Sequence, residues 1–260
     1  MRIGLLYTLL LVGVLGGAGC GPANSGEGAA AAGPAADTPS ASPANVSAQP
    51  PNATPPVGES SAPGGPTVLF LGDSITAGYG LEPQEAFPAI LEGRLEALGV
   101  AATLINGGLS GETSAGGLRR IDWLLQRHVD VLVLELGGND GLRGIDLGSS
   151  RTNLQGIVDK ARTQNPDMVL VVAGMMMPPN LGLDYTESFA KMYPEIAERN
   201  DGLLIPFLLN GVGGVDSLMQ SDNIHPNGPG HVRVADIVQP YLIEALAAVK
   251  TPPETVQADS

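Results

Sequence analysis

A single cysteine, Cys20, rules out any disulfide within the chain. Three histidines leave little material for a metal centre built on imidazole and thiolate ligands. Basic residues are scarce: 13 Lys and Arg stand against 27 Asp and Glu, giving a formal net charge of −14. Such a surface repels phosphates, so no nucleic acid partner is expected, and there is no basic patch to grip anionic lipid. Long apolar runs are nearly absent. The one at the N-terminus, residues 3–15, is too short for an ordinary membrane span.

That run reads as an address. Arg2 supplies a positive start, residues 3–15 the apolar stretch, and Gly16, Gly17, Ala18 and Gly19 the small residues a signal peptidase needs. The small residues end in Cys20. Ala18-Gly19-Cys20 resembles the lipobox of bacterial lipoproteins, with Gly17 where leucine is usual, and the resemblance implies lipidation at Cys20. An ordinary signal peptide cut near Ala18 or Cys20 is the plainer alternative. Either way the chain is expected to be exported, and acyl chains on Cys20 would hold it at a membrane, in the periplasm or at the cell surface. Residues 21–66 contain no Lys, no Arg and no aromatic residue, and are rich in Ala, Pro, Gly and Ser. They have almost nothing to bury and are expected to form a disordered, semi-extended spacer. Residues 251–260 read as a disordered tail. The folded part is therefore residues 67–250, large enough for one core.

Within it, short apolar runs alternate with helical patterns. Strands are expected at residues 68–71, 101–105, 129–136, 168–173 and 203–206. Helices are expected at 84–98, 113–126, 149–163, 185–199 and 229–249. The strands lack polar alternation, as expected when both faces are covered. Five such strands separated by helices point to an α/β doubly wound parallel sheet, in which functional residues gather beyond the carboxyl ends of the strands.

Four loops follow that rule. Gly72-Asp73-Ser74 follows the first strand, where a serine is exposed as a nucleophile and nearby N–H groups favour an oxyanion. Taken alone it reads more readily as a helix cap. Asn106 to Thr113 (NGGLSGET) follows the second strand, and Gly111 offers a close backbone N–H, or simply a flexible turn before a capping Thr113. Gly137-Gly138-Asn139-Asp140 follows the third. Asn139 offers a neutral N–H donor or stabilises a turn, and Asp140 is read as structural. Asp222-Asn223-Ile224-His225 precedes the last helix, where the carboxylate can hold one imidazole nitrogen while the other faces the serine. A metal site or a cap is the alternative, and a metal would want more ligands. His128 and His231 read as structural. The segment 175–182 (MMMPPNLG) either lines an acyl pocket or packs in the core.

Together these residues resemble the GDSL, or SGNH, hydrolase family: Ser74 in GDSITAGYG, Gly111 in LSGETS, Asn139 in GGND and His225 in DNIHP. Ile75 stands where the name-giving motif has leucine. LSGETSAGGL, VLELGGNDGLRG and MPPNLGLDYTESF are similar to the bacterial multifunctional thioesterase/lysophospholipase/arylesterase branch. The resemblance implies a three-layer α/β/α flavodoxin-like fold with a five-stranded parallel sheet. It implies metal-free hydrolysis of acyl esters or thioesters without a cofactor. Ser74, His225 and Asp222 would form the triad, and the Ser74 N–H, Gly111 N–H and Asn139 side chain the oxyanion hole, in a monomer. A carbohydrate O-deacetylase acting on cell-surface glycans is the rival enzyme, and a non-catalytic lipoprotein binding acylated ligands the rival from another class.

Overall fold

The computed structural model describes residues 65–250. The signal peptide, Cys20, the spacer up to residue 64 and the tail 251–260 lie outside the described residues.

Five strands, β1 (Thr67–Gly72), β2 (Thr103–Gly108), β3 (Val131–Glu135), β4 (Val169–Ala173) and β5 (Leu203–Ile205), form one sheet. All pairings are parallel and the order is β2-β1-β3-β4-β5, the flavodoxin-like arrangement. Every residue of β3 is buried, because helices cover both faces of the sheet. On one side α2 (Phe87–Ala97) packs against α7 (Gly228–Ala248). On the other, α3 (Ser114–Leu124) packs on α5 (Leu147–Gln164), which packs on α6 (Leu183–Arg199). Two short helices, α1 (Ser74–Ala77) and α4 (Gly138–Leu142), follow β1 and β3 directly. The expected three-layer α/β/α architecture is the observed one. Its core includes Val68, Phe70, Leu71, Leu132, Leu134 and Val171, each at most 2% exposed. Burying each such side chain contributes about 1.5–3 kcal/mol.

Two expected boundaries shift for identifiable reasons. The second strand starts two residues later and runs on to Gly108, so Asn106-Gly107-Gly108 is strand rather than loop. Glycine permits this. A Cβ at Gly107 would meet the Phe70 carbonyl at 2.7 Å, and one at Gly108 the Ala77 nitrogen at 2.2 Å. The first long helix begins at Phe87 and not at residue 84, because Pro83–Glu85 forms a separate turn and Pro88 sits in the first turn of α2.

The two helices on the α2 side are joined by His231, which is 1% exposed. Its Nδ1 accepts the Phe87 N–H at 3.1 Å, and its ring stacks on that of Phe87. Burial holds the His231 pKa down to about 4, so the ring is neutral at neutral pH. The unfolded chain takes up this proton near pH 6.5, the folded chain only near pH 4. The stability His231 contributes is therefore complete above pH 6.5 and declines as the pH falls towards 4, by about 2 kcal/mol at pH 5. Urea unfolding at pH 7 and pH 5 is expected to show a smaller midpoint drop for His231→Gln than for wild type. Equal drops would remove His231 as an acid-sensitive element.

Candidate active site

The functional loops leave the carboxyl ends of β1, β2 and β3 and the segment before α7. Gly72 ends β1 in a space only glycine fits: a Cβ there would lie 2.5 Å from a Glu135 carboxyl oxygen. Asp73 then caps α1 by accepting the Ile75 N–H at 3.0 Å, which turns the chain sharply and puts Ser74 at the first helical position.

The Ser74 Oγ lies 2.9 Å from His225 Nε2, although 151 residues separate them. His225 Nδ1 lies 2.6 Å from Asp222 Oδ2. Since the ionised carboxylate only accepts, the Nδ1 proton belongs to this second bond, which leaves Nε2 to accept the Ser74 hydroxyl. The Asp222–His225 turn is locally determined. Asp222 Oδ1 accepts the backbone N–H groups of Ile224 at 2.9 Å and His225 at 3.0 Å, while Asn223 adopts a left-handed conformation at φ 56°. The His225 side-chain bond, then these two N–H groups, hold the Asp222 pKa down to about 2, although its side chain is 37% exposed.

Two residues not singled out in the sequence fix the imidazole from outside. The Tyr79 ring lies against that of His225, with centroids 4.6 Å apart. Gln220 receives neither ring but pins the turn: its Nε2 donates to the Tyr79 and Pro226 carbonyls at 2.7 and 3.0 Å, and its N–H donates to the His225 carbonyl at 2.7 Å.

The expected oxyanion donors are joined by a chain of contacts. Asn139, in the first turn of α4, donates through Nδ2 to Asp73 Oδ2 at 3.0 Å. A carboxamide has two N–H bonds, so this contact orients the group and leaves one hydrogen over. Arg143 Nη2 donates to the Gly111 carbonyl at 3.1 Å and reaches Asn139 Oδ1 at 3.5 Å. Gly111 has φ 78°, which only glycine adopts without strain. Among the described residues, neither the Ser74 nor the Gly111 N–H donates to a protein acceptor. Arg120 ties the first two loops together. Its Nη2 donates to the Gly107 carbonyl at 2.6 Å and the Gly72 carbonyl at 3.4 Å, while its Nε pairs with Glu112.

Behind Ser74 lies a second carboxyl that the sequence reading passed over. Glu135, the last residue of β3, is 1% exposed and accepts the Asp73 N–H at 3.0 Å and the Thr76 hydroxyl at 2.8 Å. Burial, and then the nearby Asp73 charge, push its pKa well above the ordinary carboxylate range; burial raises that of Asp73 as well.

The residues read as structural sit as follows. Asp140 is fully buried and accepts from the Ser114 N–H at 2.9 Å, the Ser114 hydroxyl and the Ser150 hydroxyl, which binds α4 to α3 and α5. His128 is an exposed partner of Asp130 at 3.0 Å. The methionines divide: Met175 and Met177 are buried beneath α4, while Met176 is 53% exposed. Among the described residues, no three His, Cys, Asp or Glu side chains gather as a metal site would require.

Residues 70–233 match the GDSL-like lipase/acylhydrolase family. The chain is 41% identical over 177 residues to esterase TesA of Pseudomonas aeruginosa, covering 68% of this chain and 87% of that one. It is 37% identical over 171 residues to thioesterase 1/protease 1/lysophospholipase L1 of Escherichia coli strain K12, covering 65% of this chain and 80% of that one. The crystal structure of TesA superposes with a TM-score of 0.66 at 39% identity, covering 69% of this chain and 99% of that one.

Proposed function

Because the chain belongs to the GDSL-like lipase/acylhydrolase family, we propose that its chemistry runs through Ser74, with His225 as general base and Asp222 as the group that orients and stabilises the imidazole. The enzyme is an esterase acting on the ester or thioester bonds of acyl substrates. The observation that carries the residue assignment is the unbroken relay from the Ser74 hydroxyl through the His225 ring to the Asp222 carboxylate, at 2.9 and 2.6 Å.

In the first half-reaction the Ser74 Oγ bonds to the acyl carbonyl carbon while its proton passes to His225 Nε2. The carbonyl oxygen takes the negative charge and meets the Ser74 N–H, the Gly111 N–H and the second Nδ2 hydrogen of Asn139. The imidazolium is stabilised by Asp222. It then gives its proton to the departing alkoxide or thiolate, the bond to the leaving group breaks, and an acyl-serine remains. Water repeats the sequence: His225 takes its proton, its oxygen attacks the acyl carbon, and Ser74 leaves with the proton returned. The products are a carboxylic acid and an alcohol or thiol.

The names of the relatives support acyl thioesters and lysophospholipids as substrates within this class. Export and anchoring belong to the same reading, supported by the small residues ending at Cys20 and the Ala/Pro-rich stretch after it. One experiment tests both parts. A fluorophosphonate probe, which captures an activated serine, is expected to label the full-length wild type and leave Ser74→Ala unlabelled. In fractionated bacteria the labelled band is expected with the membranes, and in the soluble fraction for Cys20→Ala. Labelling of Ser74→Ala would overturn the nucleophile assignment, and a soluble wild type the anchor. Faster turnover of acetylated sugars than of acyl thioesters or lysophospholipids would favour the deacetylase instead.

A further inference from the structure

We propose that Glu135 is a positioning residue that keeps a proton in the working enzyme, so that Asp73 is the one anion of a buried carboxyl pair and can orient Asn139. The inference rests on the catalytic reading above and adds to it a group that does not touch the substrate.

Three observations carry it. The first is a mismatch between the two oxygens of Glu135. Oε2 accepts the Asp73 N–H and the Thr76 hydroxyl, whereas Oε1 is buried with no hydrogen-bond partner among the described residues. A buried carboxylate oxygen that carries charge without a protein donor is costly; one that carries a proton is far less so. The second is the opposite pattern at Asp73. Both of its oxygens accept, Oδ1 from the Ile75 N–H and Oδ2 from Asn139, as suits an ionised group. The third is the company the pair keeps. No cation pairs with Glu135 among the described residues, and two buried carboxylates side by side do not both ionise readily.

The surrounding charges point the same way. From α6, the Tyr193 phenol donates to the Leu136 carbonyl at 3.2 Å and brings no charge. From α3, Arg120 is paired with Glu112. Asp140 on α4 is held by Ser114 and Ser150. The Asn139 carboxamide, which donates to Asp73 Oδ2 at 3.0 Å, favours the charge on Asp73. One negative charge therefore sits on the carboxyl that contacts Asn139, and the proton sits on the carboxyl behind it. A second charge would push Asp73 and the Ser74 turn apart. A second proton would leave Asn139 facing a neutral acid.

Two measurements test this. Infrared difference spectra of the full-length protein at neutral pH, wild type minus Glu135→Gln, are expected to contain the carbonyl stretch of a buried protonated carboxyl. In steady-state assays Glu135→Ala is expected to lose about 10- to 100-fold in kcat with little change in KM, the scale of a small displacement of a catalytic group. Glu135→Gln, which imitates the neutral acid, is expected to restore most of that loss. Absence of the infrared band overturns the proposal, and it does so even if the alanine variant does not fold. A glutamine variant as slow as the alanine one, or an alanine variant as fast as wild type, also overturns it. Ser74→Ala is assayed in parallel: activity surviving there would sink the site assignment itself and not the placement of the proton.

Discussion

Ser74→Ala is expected to lower kcat by about 10⁶-fold, and His225→Ala by a similar factor, with the double variant no slower than either single one. The reason is the shared bond at 2.9 Å. Without the imidazole the hydroxyl keeps its proton and is a poor nucleophile; without the hydroxyl the imidazole has nothing to activate. Each loss removes the same covalent route, so the effects do not add. What remains is the slow attack of water on an ester held by the other groups. KM is expected to change little, because Ser74 is 9% exposed and the change to alanine takes away a single oxygen without opening the core. Steady-state turnover of an activated aryl ester, with circular dichroism as the control for folding, measures this. A Ser74→Ala enzyme that keeps even about a hundredth of the wild-type kcat would show that the reaction runs elsewhere.

Asn139→Ala comes next in size, at about 100- to 1000-fold in kcat, or roughly 3–4 kcal/mol of lost transition-state stabilisation. The structure adds a reason for expecting the upper part of that range. The Asn139 carboxamide is not loosely hung over the site: Nδ2 is anchored on Asp73 and Oδ1 lies near Arg143. The remaining N–H thus needs no reorganisation when charge develops on the substrate oxygen, which is the condition for such a donor to be effective. The loss is expected in kcat and kcat/KM alike, because a neutral ground-state carbonyl gains less from the contact than an oxyanion does. An unchanged kcat would take Asn139 out of the oxyanion hole and return it to a turn-forming role.

The parts of this molecule that were legible in the sequence share one property: their signal is local. The apolar runs of β1, β3 and β4 are continuous because both faces of the sheet are covered, and β1 and β3 are each followed at once by a candidate site loop. Asp222 and His225 lie three residues apart, so a single turn brings them together. What was missed depends on pairs distant along the chain. Glu135 lies 62 residues from Asp73, and Gln220 reaches Tyr79 across 141. Arg120 contributes through backbone carbonyls, which leave no trace in residue type. Glu135 did carry a signal. A carboxylate ending an otherwise apolar strand with no lysine or arginine beside it calls for an explanation. The early end assigned to β2 has the opposite cause: Asn-Gly-Gly reads as a turn, yet close backbone packing against Phe70 and Ala77 holds it extended.

The sheet also fixes a polarity between where the chain enters and where it works. Thr67 opens β1 and Ser74 lies two residues past its end, so about 20 Å of strand separate them along a single line. Any attachment made upstream of Thr67, natural or artificial, pulls on the pole opposite the catalytic mouth. A bead or chip grafted there leaves the mouth open to the bulk. A bulky fusion at the same point is expected to leave diffusion of substrate untouched.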